Sequence, residues 1–172
     1  MSTRIGIVVC LLALMIGCSC DCDELEKNKT VVVKAAEILN SHDYTELGTV
    51  VAENYKRHCQ ATPGVVVESL DDFKVLLQQW DQEIPDGTIT LDMMIAEGDV
   101  VAAWGTYSGT QEGPMGEFPA TGKRLEAEMG VFHRIEEGKI AETWVIWDNM
   151  AILGQLGLLP PPDSSKPDVS AD

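Results

Sequence analysis

"KRLEAEMGVFHRIEEGKIAETWVIWDNMAILGQL", residues 123–156, contains two apolar-and-polar alternating runs, a tight turn and a short apolar helix. "KRLEAEMGVFHRI" and "IAETWVIW" are rich in β-branched and aromatic residues, and "EEGK" between them supplies the glycine of a hairpin turn. The second run stops at Asp148, after which "NMAILGQL" reads as helix. At that junction a carboxylate can accept from the exposed N–H groups of the first helical turn, a cap worth roughly 0.5–2 kcal/mol. Asp148 is therefore read as a helix cap and not as a reacting group.

Working upstream, "TITLDMMIA" (88–96) turns at "EGD" into "VVAAWGTYSGT" (100–110). The Gly- and Pro-containing stretch "QEGPMGEFPATG" (111–122) is a loop leading to the terminal hairpin. Three helical stretches precede these strands. "LEKNKTVVVKAAEILN" (25–40) puts Val32, Ala35, Ala36 and Leu39 on one face. "YTELGTVVAEN" (44–54) reads as a second, shorter helix carrying a glycine. "SLDDFKVLLQQW" (69–80) is the clearest: Ser69 is an N-cap with Asp72 three residues on. Phe73, Leu76, Leu77 and Trp80 then follow at helical spacing until "IPDG" stops the run. Helices followed by hairpin-linked strands imply an α+β domain with an antiparallel sheet.

Of the 172 residues 45% are hydrophobic, which suits a packed domain, and the formal net charge is -16. Such acidity excludes nucleic acid as a partner and electrostatic docking on anionic lipid. Residues 1–17, "MSTRIGIVVCLLALMIG", read as a signal peptide with one positive charge, Arg4. The junction "MIGC" resembles a bacterial lipoprotein signal, with Met15 where leucine is usual, and implies lipidation of Cys18. The expected location is the cell envelope of an exporting cell, the membrane being reached only through that lipid. An ordinary secretory signal and an uncleaved anchor are the alternatives. Residues 18–26 form a polar tether, 27–160 the domain and 161–172 a tail of disordered composition. Cys20, Cys22 and Cys59 make no disulfide framework, and "CSCDC" lacks the partners of a closed metal site. No metal and no cofactor is expected. "NKT" at 28–30 fits a glycosylation acceptor.

At "PATGKRLEAEMGVFHRIEEGKIAETWVIWDNMAILGQLGLLP" (119–160), supported by "NSHDYTELGTVVAENYKRH" and "IAEGDVVAAWGTYSGT", the chain resembles the SnoaL-like polyketide cyclases and related ester cyclases. The resemblance implies the cone-shaped fold of nuclear transport factor two, a curved antiparallel sheet wrapped around helices with an internal pocket. It also implies positions for the catalytic groups of those cyclases. Their aspartate falls on Val145, their histidine on Val131, and their asparagine, beside Tyr55, on Arg57. Valine has no proton to exchange, so the family's acid–base step cannot run here on the same groups.

With that register, Met129, Val131 and His133 share the pocket face with Thr143, Val145 and Trp147, joined by Tyr55 and by Trp80 as floor or core. The opposite face carries Glu128, Phe132, Trp144 and Ile146 and is suited to a homodimer contact. An apolar small molecule is the expected occupant. The alternative is a cyclase- or isomerase-type enzyme acting on a polyketide-like or ester substrate. His58 or His133 would then serve as acid or base and Arg57 would stabilise an oxyanion. His133 would be kept neutral by burial, His58 would sit at the pocket mouth, and His42 would be a loop residue.

Overall fold

A computed structural model describes residues 6–159, with side chains from 22 onward. The leader's first residues, the side chains of Cys18 and Cys20 and the tail 161–172 lie outside the described residues. Helix α1 spans Gly6–Ser41, so the stretch read as a polar tether continues the same helix. Val32 and Ala35 are buried on its inner face. Asn28 is also buried and donates from Nδ2 to Gly98 O at 3.2 Å, so the acceptor pattern "NKT" is taken up in packing. Asn40 closes the helix against a sheet edge. Its Nδ2 donates to Ile89 O, and Ile89 N donates to its Oδ1, both at 2.8 Å, replacing a missing strand partner.

The second helix expected over 44–54 does not form. After a 3-10 turn at Leu47–Thr49 the chain enters strand β1, Val51–Cys59. The physical reason lies in the residues: Gly48 weakens a helix, and Thr49, Val50 and Val51 are three consecutive β-branched residues that favour extended backbone. Leu47, Val50 and Val51 are fully buried all the same, so the apolar residues keep their role while the backbone changes.

Helix α2, Leu70–Glu83, begins at Ser69, whose Oγ accepts from Asp72 N at 3.1 Å, while Asp72 Oδ2 accepts from Glu68 N at 3.2 Å. Leu70, Phe73, Leu76 and Leu77 bury the apolar stripe, each contributing about 1.5–3 kcal/mol when fully removed from water. The four later strands are β2 (Thr88–Glu97), β3 (Val100–Thr110), β4 (Arg124–Glu136) and β5 (Lys139–Trp147), and helix α3 is Asn149–Leu156. The β4–β5 turn places Glu137 at φ 51° and Gly138 at φ 74°. Positive φ at both central residues is what a two-residue hairpin of primed type requires.

One five-stranded sheet results, in the order β1-β5-β4-β3-β2. Its three hairpin-linked pairs are antiparallel, but β1 lies parallel to β5 at the edge, which corrects the wholly antiparallel sheet expected. Register shifts at Leu91/Met93, Arg134/Ile135 and Val51/Lys56 bend the strands, and bulges of this kind curl a sheet into a cone. The main core gathers α1, α2 and the inner ends of β1, β3 and β5 around Val32, Tyr55, Phe73, Leu77 and Val101. A smaller cluster, Ile84, Leu125 and Leu156, locks α3 to β4 and the end of α2. Among the described residues no helix is long and apolar enough to cross a membrane.

Candidate functional site

Between the two clusters the curled sheet and the helices leave a cavity of about 570 Å³. Its size falls within the roughly 300–1,000 Å³ typical of small-molecule sites. Alternation along β4 and β5 brings Met129, Val131 and His133 onto its wall together with Thr143, Val145 and Trp147. Tyr55 and Arg57 reach it from β1 and Trp80 from α2.

The sheet register arranges these groups in rungs. Arg57 pairs with Thr143 across the β1–β5 ladder, and Thr143 pairs with His133 across β4–β5. One rung thus holds a guanidinium, a hydroxyl and an imidazole on neighbouring strands, about 4.8 Å apart. The next rung is Cys59, Val145 and Val131, and beyond it Trp147 faces Met129. The two valines that the resemblance aligns with catalytic positions are therefore direct cross-strand partners.

His133 Nδ1 lies 2.9 Å from Thr143 Oγ1. Burial lowers the His133 pKa to about 4, so the imidazole is neutral near pH 7. The side chain is only partly covered because its remaining surface is cavity wall. Tyr55 is 2% exposed and its ring lies tilted against Phe73, the centroids 4.8 Å apart. Burial pushes its phenol up to about 12, against a smaller opposing effect of the Thr143 hydroxyl.

Arg57 ends between two indoles, its guanidinium carbon 5.3 Å from the Trp80 ring centre and 5.6 Å from that of Trp147. The two rings meet edge to face at 6.5 Å. Trp147 is itself fixed by donating from Nε1 to Asn149 Oδ1 at 2.7 Å, and Asn149 donates to Ala61 O.

His58 occupies a different place from the one expected. As the neighbour of Arg57 on a strand it points to the other face of the sheet. There its Nε2 lies 2.7 Å from Glu142 Oε1 and its ring stacks at 5.2 Å on Trp144. Glu142 also accepts from Arg134 Nε at 3.2 Å. With no strand expected over 51–59, the parity that separates Arg57 from His58 was not applied. Phe132 and Ile146 share that outer face and are more than half exposed. Asp148 likewise lies outside the cavity lining. Its Oδ1 accepts from Met150 N at 2.8 Å and Ala151 N at 3.1 Å, and it caps α3.

A cluster that sequence reasoning missed stands elsewhere on the cavity wall. Tyr44 OH donates to both carboxylate oxygens of Asp81, at 2.7 and 2.8 Å, and His42 Nδ1 lies 2.7 Å from Asp81 Oδ1. All three line the cavity. The signal was present: Asp81 falls four residues after Leu77 on the apolar stripe of α2, where a carboxylate must find partners. The loop 111–122 also contributes Met115 and Phe118 to the wall. It is held by buried Gln111, whose Nε2 donates to Gly113 O and Pro119 O and whose Oε1 accepts from Thr121. Among the described residues no group of three or more His, Cys, Asp or Glu is placed to hold a metal ion, and Cys22 and Cys59 are free thiols.

A family model described as SnoaL-like polyketide cyclase matches residues 29–156. The chain belongs to the SnoaL-like polyketide cyclase family. Its fold is that of solved relatives. TsrD from Streptomyces laurentii is 26% identical with a TM-score of 0.70, over 78% of this chain and 97% of that one. IdmH from Streptomyces antibioticus is also 26% identical, with a TM-score of 0.67 over 76% and 98%. A SnoaL-like polyketide cyclase from Agrobacterium tumefaciens is 24% identical, with a TM-score of 0.64 over 76% and 98%, and speaks to fold alone. No curated protein matches the chain. The cone-shaped α+β architecture is thereby the family's own, with three helices against one curved five-stranded sheet.

Proposed function

We propose that this SnoaL-like domain is a receptacle for an apolar small molecule, exported and anchored to the cell envelope by lipid on Cys18. The observation that carries the reading is the cross-strand pair Val131–Val145 on the cavity wall. At the positions where the resemblance sets an ionisable pair, this cavity offers hydrocarbon. Leu76, Leu77, Met129 and Ile152 extend the apolar surface, so the free energy of occupancy comes mainly from removing apolar area from water. The outer sheet face, with Phe132 and Ile146 uncovered, suits a homodimer contact.

The direct test is thermal unfolding of the purified protein with a panel of apolar ketones, lactones and polyketide-like aromatics, each compound then recovered and weighed by mass spectrometry. A saturable rise in Tm with the compound recovered unchanged is the expected result, the shift reporting affinity by linkage. No stabilisation by any apolar compound would contradict it.

A second reading has one observation in its favour. His133 is neutral, enclosed and one strand removed from Arg57 by way of Thr143. Such a pair could abstract a proton and hold the resulting oxyanion in a cyclase- or isomerase-type reaction. His58 takes no part, since it stands on the other face of the sheet. Recovery of an isomer, with conversion abolished in His133→Ala, would replace the binding reading by this one.

A further inference from the structure

Arg57 is 7% exposed and makes no ion pair with any carboxylate among the described residues. Its Nη1 donates to Thr62 Oγ1 at 3.3 Å, while Nη2 is buried with no partner among the described residues. A guanidinium withdrawn from water and left with an unused donor is unfavourable, and the indoles of Trp80 and Trp147 offset that only in part. The acids nearest in role are engaged elsewhere. Asp81 takes Tyr44 and His42, Glu83 accepts from Gln79, and Glu142 is bound on the opposite face of the sheet. Arg57 is also the one Lys or Arg among the residues lining the cavity.

We infer that Arg57 is an oxyanion receptor and that the cavity's occupant is an apolar carboxylic acid, its carboxylate paired with the Arg57 guanidinium and its body along Val131 and Val145. The inference rests on the cavity being a binding site for an apolar molecule. A single cation matches a single negative charge, and Asp81 and Glu83 on the same wall oppose a multiply charged group such as phosphate. The two indoles exclude water from the guanidinium, so a charge-assisted hydrogen bond formed there is stronger than one at the surface. His133, with Nδ1 turned to Thr143, stands on the same rung and stays uncharged, which leaves the anion to Arg57 alone.

The test uses the purified full chain and a matched pair of probes, anthraquinone-2-carboxylate and its neutral methyl ester, titrated against tryptophan fluorescence at pH 7.5. The acid should bind the wild type at least about tenfold more tightly than the ester, as expected for one charge-assisted hydrogen bond. In Arg57→Gln that preference should vanish, and Arg57→Lys should retain part of it. Equal affinities in the wild type, or a preference that survives Arg57→Gln, would overturn the inference while ester binding upheld the receptacle. Binding of neither probe would bring down both. The wild-type ratio of acid to ester decides the matter even where Arg57→Gln fails to fold.

Discussion

His133 and Thr143 face one another across the β4–β5 ladder, with the imidazole Nδ1 2.9 Å from the threonine Oγ1. Burial inside the cone keeps this histidine in its neutral form. Its pKa is lowered by burial from 6.5 to about 4, so between those values the unfolded chain binds a proton that the folded chain does not. Stability must fall as pH drops through that window, by up to about 3 kcal/mol. In His133→Gln, unfolding by urea should show a flatter pH dependence between 6.5 and 4 than the wild type. Equal slopes would show that the imidazole is not buried neutral.

Arg57 makes an opposite kind of prediction. Because its buried charge has no carboxylate partner among the described residues, replacing it should not weaken the empty domain. Arg57→Met should unfold with a free energy unchanged or raised by about 1–2 kcal/mol. A structural arginine would behave otherwise, and a loss above about 2 kcal/mol in calorimetry would show that the indole contacts hold the fold.

Asp148 should matter for stability alone. Asp148→Ala removes the acceptor for Met150 N and Ala151 N, at a cost of about 1 kcal/mol. Asp148→Asn should recover most of it, and ligand affinity should be the same in all three proteins. A fall in affinity without a fall in Tm would assign the carboxylate a role at the site.

His58→Ala should leave binding and any turnover as they are, because the half-exposed imidazole pairs with Glu142 on the outer face, away from the cavity. The expected stability change is below about 1 kcal/mol. A variant that loses ligand would place the functional surface on the outside of the sheet.

How far the fold was legible varied with the strength of each local signal. Ser69, the apolar stripe of α2 and "EEGK" with its glycine each specify one geometry, and these elements form where the residues indicate. The stretch 44–54 offered apolar residues without a decisive period, and β-branched Thr49, Val50 and Val51 carried the backbone into a strand. That change of element put His58 on the outer face and made β1 a parallel partner of β5, a pairing between residues nearly 90 positions apart that no local pattern encodes. Periodicity serves the site well along β4 and β5, where alternate residues meet the cavity. It says nothing about Tyr44 and His42 converging on Asp81, since that contact joins two segments through tertiary packing. Nor does sequence reveal that Arg57 lacks a carboxylate, which only the position of every acid around it decides.

The claim that the cone encloses a receptacle for an apolar molecule is tested most directly by filling it. Val131 and Val145 stand side by side on the cavity wall, and Val145→Phe would project a larger ring into the cavity. Titration of wild type and variant with methyl anthraquinone-2-carboxylate, followed by tryptophan fluorescence, should give one saturable site in the wild type and a loss of at least about tenfold in affinity in the folded variant. Equal affinity in both proteins would mean that the molecule binds elsewhere, and the internal cavity would then not be the functional site.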